Sequence, residues 1–300
     1  FLPSREIILQ DRKSPVIKRF KTYIYSMFPK FIENAYLNQY LSKKDKLHLK
    51  TIESEQYWFM VCLSRARSTV SNILQKNIEK ERKLKMEKLL TVVIPSYNVE
   101  QYLNQTLESF VIDSQWLEKL EILIVDDGSK DHTADIGKEY EHRYPGIFHV
   151  ISKENGGHGS TINRGIQEAK GKYFKVVDGD DWVDSSGFQN FIKMLERCDT
   201  DFVIANYYEV NDQSKEKTEK TFPQLEEDKK MNLKEVITKI QIPMHALTIK
   251  TDILKTNKIK LDEHCFYVDV EYVLYPIPYV KDVTYINEFV YMYRLAVATQ

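Results

Sequence analysis

The sequence predicts an α/β fold, in which helices flank a mainly parallel β-sheet. From Leu89 onward, short apolar runs of strand length alternate with segments whose apolar residues recur with the period of an α-helix. All ten glycines lie between Gly128 and Gly187, so tight turns and loops that can approach a ligand closely are expected in the middle of the chain. Sheets built by strand–helix–strand alternation bind ligands at the carboxyl ends of their strands.

Four strands and two helices are predicted in the first part of this region. The strands are expected at residues 89–94, 120–125, 148–151 and 173–177. The helices are marked by Val99, Tyr102, Leu103, Leu107, Phe110 and Val111, and by Phe188, Phe191, Ile192 and Leu195. Asn98 is placed to cap the first helix, and Gln101, three residues further on, would complete a capping box.

Residues 1–88 are predicted to form a mostly helical, basic N-terminal extension. Residues 1–90 carry 19 Lys and Arg against 9 Asp and Glu, or +10, whereas residues 91–300 carry 24 against 35, or −11. A basic arm beside an acidic domain is compatible with peripheral contact with an anionic membrane surface. A solvated helical face would have the same composition, and both interpretations stay open.

The bulk composition excludes several classes of protein. An apolar fraction of 42% with 29% charged residues is typical of a soluble globular protein. Three cysteines without a CxxC pair argue against a disulfide framework or a zinc knuckle. No apolar run approaches the roughly 18 residues that a membrane span requires. A cytoplasmic protein, placed at the inner face of the cell membrane if the basic arm binds there, is expected, with no nucleic-acid partner.

Polar and acidic residues follow three of the predicted strands. The segments concerned are Pro95-Ser96-Tyr97-Asn98, Asp126-Asp127-Gly128-Ser129 and Asp178-Gly179-Asp180-Asp181. Each alone is compatible with an ordinary turn or a charged loop. Together, at one edge of a sheet, the carboxylates repel one another unless a cation binds them. Mg²⁺ or Mn²⁺ takes oxygen ligands and completes its shell from phosphate, so the pattern indicates a divalent metal with a nucleoside diphosphate that carries a transferable group.

With these motifs the chain resembles the family 2 glycosyltransferases of the GT-A (Rossmann-like) fold. The matching segments are Val93-Ile94-Pro95-Ser96-Tyr97-Asn98, Val125-Asp126-Asp127-Gly128-Ser129, Asn155-Gly156-Gly157 with Asn163 and Gly165, and Asp178-Gly179-Asp180-Asp181-Trp182. The resemblance covers residues 89–300 and implies a nucleotide-sugar-binding half (89–210) and an acceptor half (211–300), which we expect to be incomplete at its C-terminus. It implies an inverting hexosyl- or N-acetylhexosaminyl-transferase that moves a sugar from a UDP-sugar to a saccharide or lipid-linked acceptor in cell-surface polysaccharide or glycolipid synthesis.

The resemblance also assigns roles to single residues. Those expected to contact the nucleotide-sugar are Pro95, Ser96, Tyr97, Asn98, Asp126, Asp127, Asn155, Gly157, Asn163, Asp178 and Asp180. Asp178 and Asp180 form the DxD pair expected to hold Mn²⁺ or Mg²⁺, with Asp180 as the direct ligand. Asp269 is the expected catalytic base, although Val268 replaces the family's usual Glu; Glu271 is the alternative base, and a helix cap is the structural alternative for Asp269.

Further segments of the second half bear on the substrate. His245 precedes a predicted strand and is either an acceptor contact or a structural histidine. Tyr291-Met292-Tyr293-Arg294 resembles the family's Tyr-x-Tyr-Arg strand near the substrate site.

Other functions fit the sequence less well than glycosyl transfer does. A sugar-phosphate nucleotidyltransferase needs a glycine-rich loop after the first strand, where this chain has no glycine before Gly128. A dinucleotide-dependent oxidoreductase needs a GxGxxG spacing that Gly156-Gly157-His158-Gly159 does not provide. A nucleotide-sugar-binding scaffold without turnover stays possible in principle, but the retained Asp178, Asp180 and Asp269 argue against it.

Overall fold

The computed structural model describes residues 88–295. Apart from Lys88, the predicted N-terminal extension therefore lies outside the described residues. The described part has an α/β architecture of the predicted class, and the four predicted strands and two predicted helices are all present.

Ten strands of this part form one sheet. They are β1 (Leu90–Ser96), β2 (Leu120–Asp126), β3 (Phe148–Ser152), β4 (Tyr173–Val176), β5 (Trp182–Val183), β6 (Phe202–Asn211), β7 (Lys217–Lys220), β8 (Lys230–Asn232), β9 (Leu247–Lys250) and β10 (Asp282–Leu295). The order is β3-β2-β1-β4-β9-β6-β10-β5, with β7 on β6 and β8 on β10. Strands β1 to β4 pair in parallel, whereas β9 is antiparallel to both β4 and β6. The parallel part is the one that the alternating pattern predicts.

Helices cover both faces of the sheet. They are α1 (Glu100–Ser109), α2 (Ser114–Leu117), α3 (Thr133–Arg143), α4 (His158–Glu168), α5 (Ser185–Leu195), α6 (Leu233–Val236), α7 (Thr251–Thr256) and α8 (Val268–Leu274), with 3₁₀ turns at Met244–Ala246 and Ile277–Tyr279. Successive side chains of a strand point to opposite faces. On β1, Val92 and Ile94 therefore pack into the core on one face and Val93 into the core on the other.

The predicted capping of the first helix by Asn98 is wrong. The residue before α1 is Val99, and no side chain of its own segment caps the helix. Asn98 has a left-handed φ of 52° and accepts instead from the backbone N–H of Lys130. The N–H groups of Val99 and Glu100, at the start of the helix, donate to the side chains of Thr133 and Asp131, respectively. The cap is supplied by a segment over 30 residues away, which a local motif does not reveal.

Gly165 marks a close approach of helix α4 to strand β1. A Cβ at this position would lie 2.3 Å from Cγ2 of Val93, which fixes α4 directly on β1. Close packing of this kind leaves no room for a methyl group unless the helix moves.

Gly165→Ala should therefore lower the free energy of unfolding by about 1–3 kcal/mol. The measurement is urea denaturation of the full chain. Shortening the contacting side chain provides the control: Val93→Ala should cost less in the Gly165→Ala background than alone, because it removes the clash. If the two costs simply add, the proposed contact does not limit the packing of α4.

Candidate active site

The carboxyl ends of β1, β2 and β4 meet at one edge of the sheet. Ser96 pairs with Asp126, and the N–H of Asp127 donates to the carbonyl of Ser96 over 2.8 Å. Strand β4 is followed by the acidic turn, residues 178–181. The N–H of Gly179 in this turn donates to the carbonyl of Pro95 over 3.1 Å. The structure thus brings together the three polar segments that the sequence places after these strands.

At the end of β1, the four predicted nucleotide contacts differ in how accessible they are. The Tyr97 ring is exposed (46%), whereas Ser96 is buried and its hydroxyl donates to the carbonyl of Ile94. Asn98 is exposed and its backbone N–H donates to the hydroxyl of Ser129. Of this segment, the Tyr97 ring is therefore the side chain best placed to pack on a planar ligand.

Asp126 and Asp127 differ in their surroundings although they are adjacent. Asp126 accepts one hydrogen bond, from the N–H of Ser129, in the turn after β2. Both residues are buried, but the two oxygens of Asp127 accept from the N–H groups of Gly156 and Gly157, and Lys153 Nζ lies 2.6 Å from Oδ1. The Asp127 carboxylate therefore holds the turn that precedes α4, and its predicted contact with a nucleotide stays a prediction.

The Gly156–Gly157 turn also contacts the segment that leads into α8. Asn155 donates to the carbonyl of Asp127, on the β2 side. His264 donates through its backbone N–H to the carbonyl of Gly156, and a Cβ on Gly157 would lie 3.1 Å from that nitrogen. Gly157 has a φ of 80°, a conformation that other residues rarely adopt.

Asn163, further along α4, also binds the segment that leads into α8. Its side-chain amide exchanges two hydrogen bonds with the backbone of Leu261, at 2.8 and 2.9 Å, and it is buried. The structure therefore places Asn163 between α4 and the segment before α8. Its expected position at the border of the nucleotide stays a prediction.

In the acidic turn, Asp178 and Asp181 have distinct partners. His158 Nε2 lies 2.8 Å from Asp178 Oδ1, a contact that the sequence did not predict. The buried Asp181 accepts from the hydroxyl of Tyr291 at 2.6 Å and from the backbone N–H of Arg294 at 2.7 Å. The turn is therefore held from α4 on one side and from β10 on the other.

Arg294 is the inner support of the acidic turn. It is buried (4% exposed), and its Nε donates to the carbonyl of Asp180 over 2.6 Å. Its other nitrogens donate to carboxylate or amide oxygens of Asp212 and Gln105. The guanidinium also lies 4.7 Å from the ring centroid of Tyr102 and 4.5 Å from that of Trp182. Only a planar, always-charged side chain makes all these contacts at once.

Electrostatics in this turn favour a cation. Burial and the neighbouring Asp178 raise the pKa of Asp180. Burial, with Asp178 and Asp180, raises the pKa of Asp181 well above its ordinary value. Burial also opposes ionisation of Asp178, but His158 outweighs it and lowers the pKa of that carboxyl. Like charges held this close are stabilised by a divalent ion.

His245 belongs to the same cluster. Ligand atoms of Asp178, Asp181 and His245 all lie within 4.8 Å of one another. The imidazole stacks on Tyr293 with ring centroids 4.1 Å apart, and the buried Lys175 donates to the carbonyl of His245 over 2.8 Å. An imidazole nitrogen in this position can join carboxylate oxygens around Mn²⁺. The sequence indicated only an acceptor contact or a structural histidine here.

Asp269 lies in the first turn of α8 and is exposed. Burial lowers the pKa of His158, but the carboxylates of Asp178 and Asp269 outweigh it and raise that pKa. Burial lowers the pKa of His245, with Asp178 and Asp269 opposing. The charge of Asp269 therefore acts on both histidines that border the acidic turn, although the turn is about ninety residues away in sequence.

Two alternatives to Asp269 as the base were open: that Asp269 caps a helix, and that Glu271 is the base. The residue before α8 is Tyr267, and no side chain caps this helix, so Asp269 is not a helix cap. Glu271 accepts from the N–H of Asp262 at 2.8 Å and thereby holds the segment before the helix. Asp269 as the base stays a prediction. The carboxylate of Glu271 already accepts a backbone hydrogen bond, which makes it the less suitable base.

Replacing Arg294 with Lys should lower the free energy of unfolding by about 3 kcal/mol, because the planar fork and both ring contacts are lost in a buried site. Thermal and urea denaturation of the full chain measure this. Arg143 is the matched control, since it also lies over two rings, those of Tyr140 and Tyr144, yet is 47% exposed. Arg143→Lys should cost much less, because the Arg143 guanidinium is exposed to solvent. Equal costs for the two variants would contradict the role assigned to Arg294.

Comparison with known proteins agrees with this geometry. Residues 91–255 match the family model described as Glycosyl transferase family 2. The chain is 33% identical over 153 residues to "Uncharacterized glycosyltransferase EpsJ" of Bacillus subtilis, covering 51% of this chain and 43% of that one. It is 30% identical over 183 residues to "Minor teichoic acid biosynthesis protein GgaB" of the same organism, covering 58% and 19%. The chain thus spans less than half the length of these relatives.

Solved structures share the fold. S. aureus TarS, in complex with UDP-GlcNAc, superposes with a TM-score of 0.58 at 21% identity, covering 70% of this chain and 59% of that one. The mannosyltransferase PcManGT from Pyrobaculum calidifontis, in complex with GDP-Man and Mn²⁺, gives 0.50 at 15% identity, covering 68% and 56%. The fold is therefore of the GT-A type, and with a family model matched over more than half of its length, the chain belongs to glycosyltransferase family 2.

Proposed function

We propose that the protein transfers a sugar from a UDP-sugar to an acceptor hydroxyl, with inversion at the anomeric carbon. One observation carries this proposal. The acidic turn contacts His158 and lies beside His245, and a separate exposed carboxylate, Asp269, acts electrostatically on the same two histidines. Direct displacement at the anomeric carbon requires a site that binds the nucleotide-sugar and, close to it, a base that the acceptor can reach.

In this proposal the nucleotide lies along the ends of β1 and β2. The exposed ring of Tyr97 packs against the base, and Asp126, whose known partner is one N–H of its own turn, accepts from the base or ribose. The complex of TarS with UDP-GlcNAc supports uridine as the nucleoside. The complex of PcManGT with GDP-Man shows that the same fold also accommodates guanosine, so donor choice is a matter for direct assay.

A divalent cation, Mn²⁺ or Mg²⁺, belongs at the acidic turn in this proposal. Asp178 and Asp180 of the DxD pair would hold it, with His245 as a nitrogen ligand whose ring already lies beside Asp178. When bound, the cation supplies neutralising charge for the departing diphosphate. The Mn²⁺ in the PcManGT complex supports this choice of metal.

Asp269 performs the proton transfer. Its carboxylate accepts the proton of the acceptor hydroxyl while that oxygen forms a bond to the anomeric carbon, and the bond from that carbon to the diphosphate oxygen breaks. The exposure of Asp269 leaves it accessible to an acceptor. The Asp178–His158 contact, at 2.8 Å, ties the acidic turn to the start of α4.

The product belongs, we propose, to cell-surface polysaccharide or glycolipid synthesis. The name of GgaB, a teichoic acid biosynthesis protein, supports this class of pathway. Within residues 88–295, no helix has the length and apolarity needed to cross a membrane. A cytoplasmic site of action, with the basic extension touching the inner membrane face, is part of the proposal.

Asp269→Asn should reduce sugar transfer by about 10²–10⁴-fold, because an amide cannot accept the hydroxyl proton. The assay is release of UDP from a panel of UDP-sugars with Mn²⁺ and an acceptor mixture. Affinity for UDP, measured by calorimetry, should change less than about twofold, since Asp269 lies outside the donor anchor.

Glu271→Gln is the matched control, because Glu271 lies on the same helix and accepts from a backbone N–H instead of facing the histidines. It should retain most of the transfer activity. Wild-type turnover by Asp269→Asn, or its loss only in Glu271→Gln, would show that the base is assigned to the wrong residue.

A further inference from the structure

Large apolar side chains are exposed mainly around Asp269. Of the eight exposed large hydrophobic residues in the described part of the chain, five lie within residues 266–275. These five, here called the aromatic rim, are Phe266, Tyr267, Val270, Leu274 and Tyr275. Phe266 and Tyr267 are 89% and 81% exposed, which is unusual for aromatic side chains of a folded protein. A concentration of this kind marks a binding surface.

The helix that carries part of the rim is packed on the core. The opposite face of α8 is anchored by Val268, Tyr272 and Val273, all of them buried. Tyr267, immediately before the helix, has a φ of 65°. Positive φ is costly for a bulky residue and persists where the surrounding structure enforces it.

The rim is also fixed relative to the donor side. A Cβ at Gly159, in the first turn of α4, would lie 2.0 Å from the carbonyl oxygen of Asp262. His264 donates its backbone N–H to the carbonyl of Gly156. A ligand on the rim would therefore lie close to Asp269, which is in the first turn of α8, on a segment joined to the start of α4.

The charge of this segment limits the class of ligand. Residues 261–280 contain four carboxylates and no lysine or arginine. The carboxylates are Asp262, Glu263, Asp269 and Glu271; Lys260, just before this segment, pairs with Glu263 at 3.4 Å, which leaves the other three to give the segment its negative charge. Such a surface repels polymers that carry phosphate in every repeat and gives no attraction to an anionic membrane. It suits a neutral saccharide, because carboxylates accept hydrogen bonds from hydroxyl groups and aromatic faces attract the polarised C–H groups of a sugar ring.

We propose that the aromatic rim is the acceptor-binding surface and that the acceptor is a neutral saccharide. This inference rests on the proposed function and specifies its second substrate. Tyr267 and Phe266 pack on the sugar ring whose hydroxyl faces Asp269. A phosphate-bearing acceptor, of the kind that the name of GgaB suggests for that relative, is thereby disfavoured for this chain.

The test uses the full chain, Mn²⁺ and the UDP-sugar that gives most UDP release. Acceptors are neutral oligosaccharides of hexose and N-acetylhexosamine on one side and poly(glycerol phosphate) on the other. We expect the protein to transfer sugar to the neutral acceptors and not to the phosphate polymer, at low salt and at high salt. Preference for poly(glycerol phosphate) would overturn the inference.

Tyr267→Ala and Phe266→Ala should each raise the KM for the saccharide acceptor about tenfold, because a stacked ring is lost. Affinity for UDP, measured by calorimetry, should change less than about twofold. Tyr279→Ala is the matched control, since Tyr279 is 48% exposed but lies outside the rim. It should leave transfer unchanged. Thermal unfolding of each variant checks that the fold is retained.

Other occupants of the rim give different results. If the rim variants lose self-association or binding to phosphatidylglycerol vesicles while the acceptor KM stays unchanged, the rim is an interface of another kind and the inference is overturned. If the wild-type chain releases no UDP from any UDP-sugar, the proposed function itself fails. The two failures are therefore distinguishable.

Discussion

The gathering of carboxylates at one sheet edge is the constraint that the rest of the site has to satisfy. Carboxylates held this close are costly unless each has a partner. Asp127 is compensated by Lys153 and two glycine N–H groups, and Asp181 by Tyr291 and the backbone of Arg294. Both of these carboxylates are hydrogen-bonded within the fold. The partly exposed Asp178 and Asp180 are thereby held in place at the surface of the turn.

The same framework couples the donor side to the acceptor side. The turn at Gly156 and Gly157 is bonded on one side to Asp127, at the end of β2, and on the other to the segment before α8. Asn163 adds two hydrogen bonds to Leu261. The position of Asp269 therefore depends on α4, an element of the first half of the chain. Glycine is needed at position 157 because its φ is 80° and because the backbone nitrogen of His264 would lie only 3.1 Å from a Cβ there.

Much of the fold could be predicted because its signals are local. Apolar runs predicted β1 to β4, and the period of α1 and α5 followed from their buried faces. The site was predicted less completely. Contacts such as that of His158 with Asp178, or the stacking of Arg294 between Tyr102 and Trp182, join segments far apart in sequence. Such contacts leave no periodic signal, and for the same reason the cap of α1 was assigned to the wrong residue.

The central claim is that the acidic edge binds a divalent cation together with a nucleoside diphosphate. Calorimetric titration of UDP into the full chain, once with Mn²⁺ and once with a chelator, tests it most directly. We expect UDP to bind at least about tenfold more tightly with Mn²⁺, because each ligand neutralises charge that opposes the other. We also expect Asp180→Asn to remove most of this difference. Equal UDP affinity with and without the metal would contradict the claim.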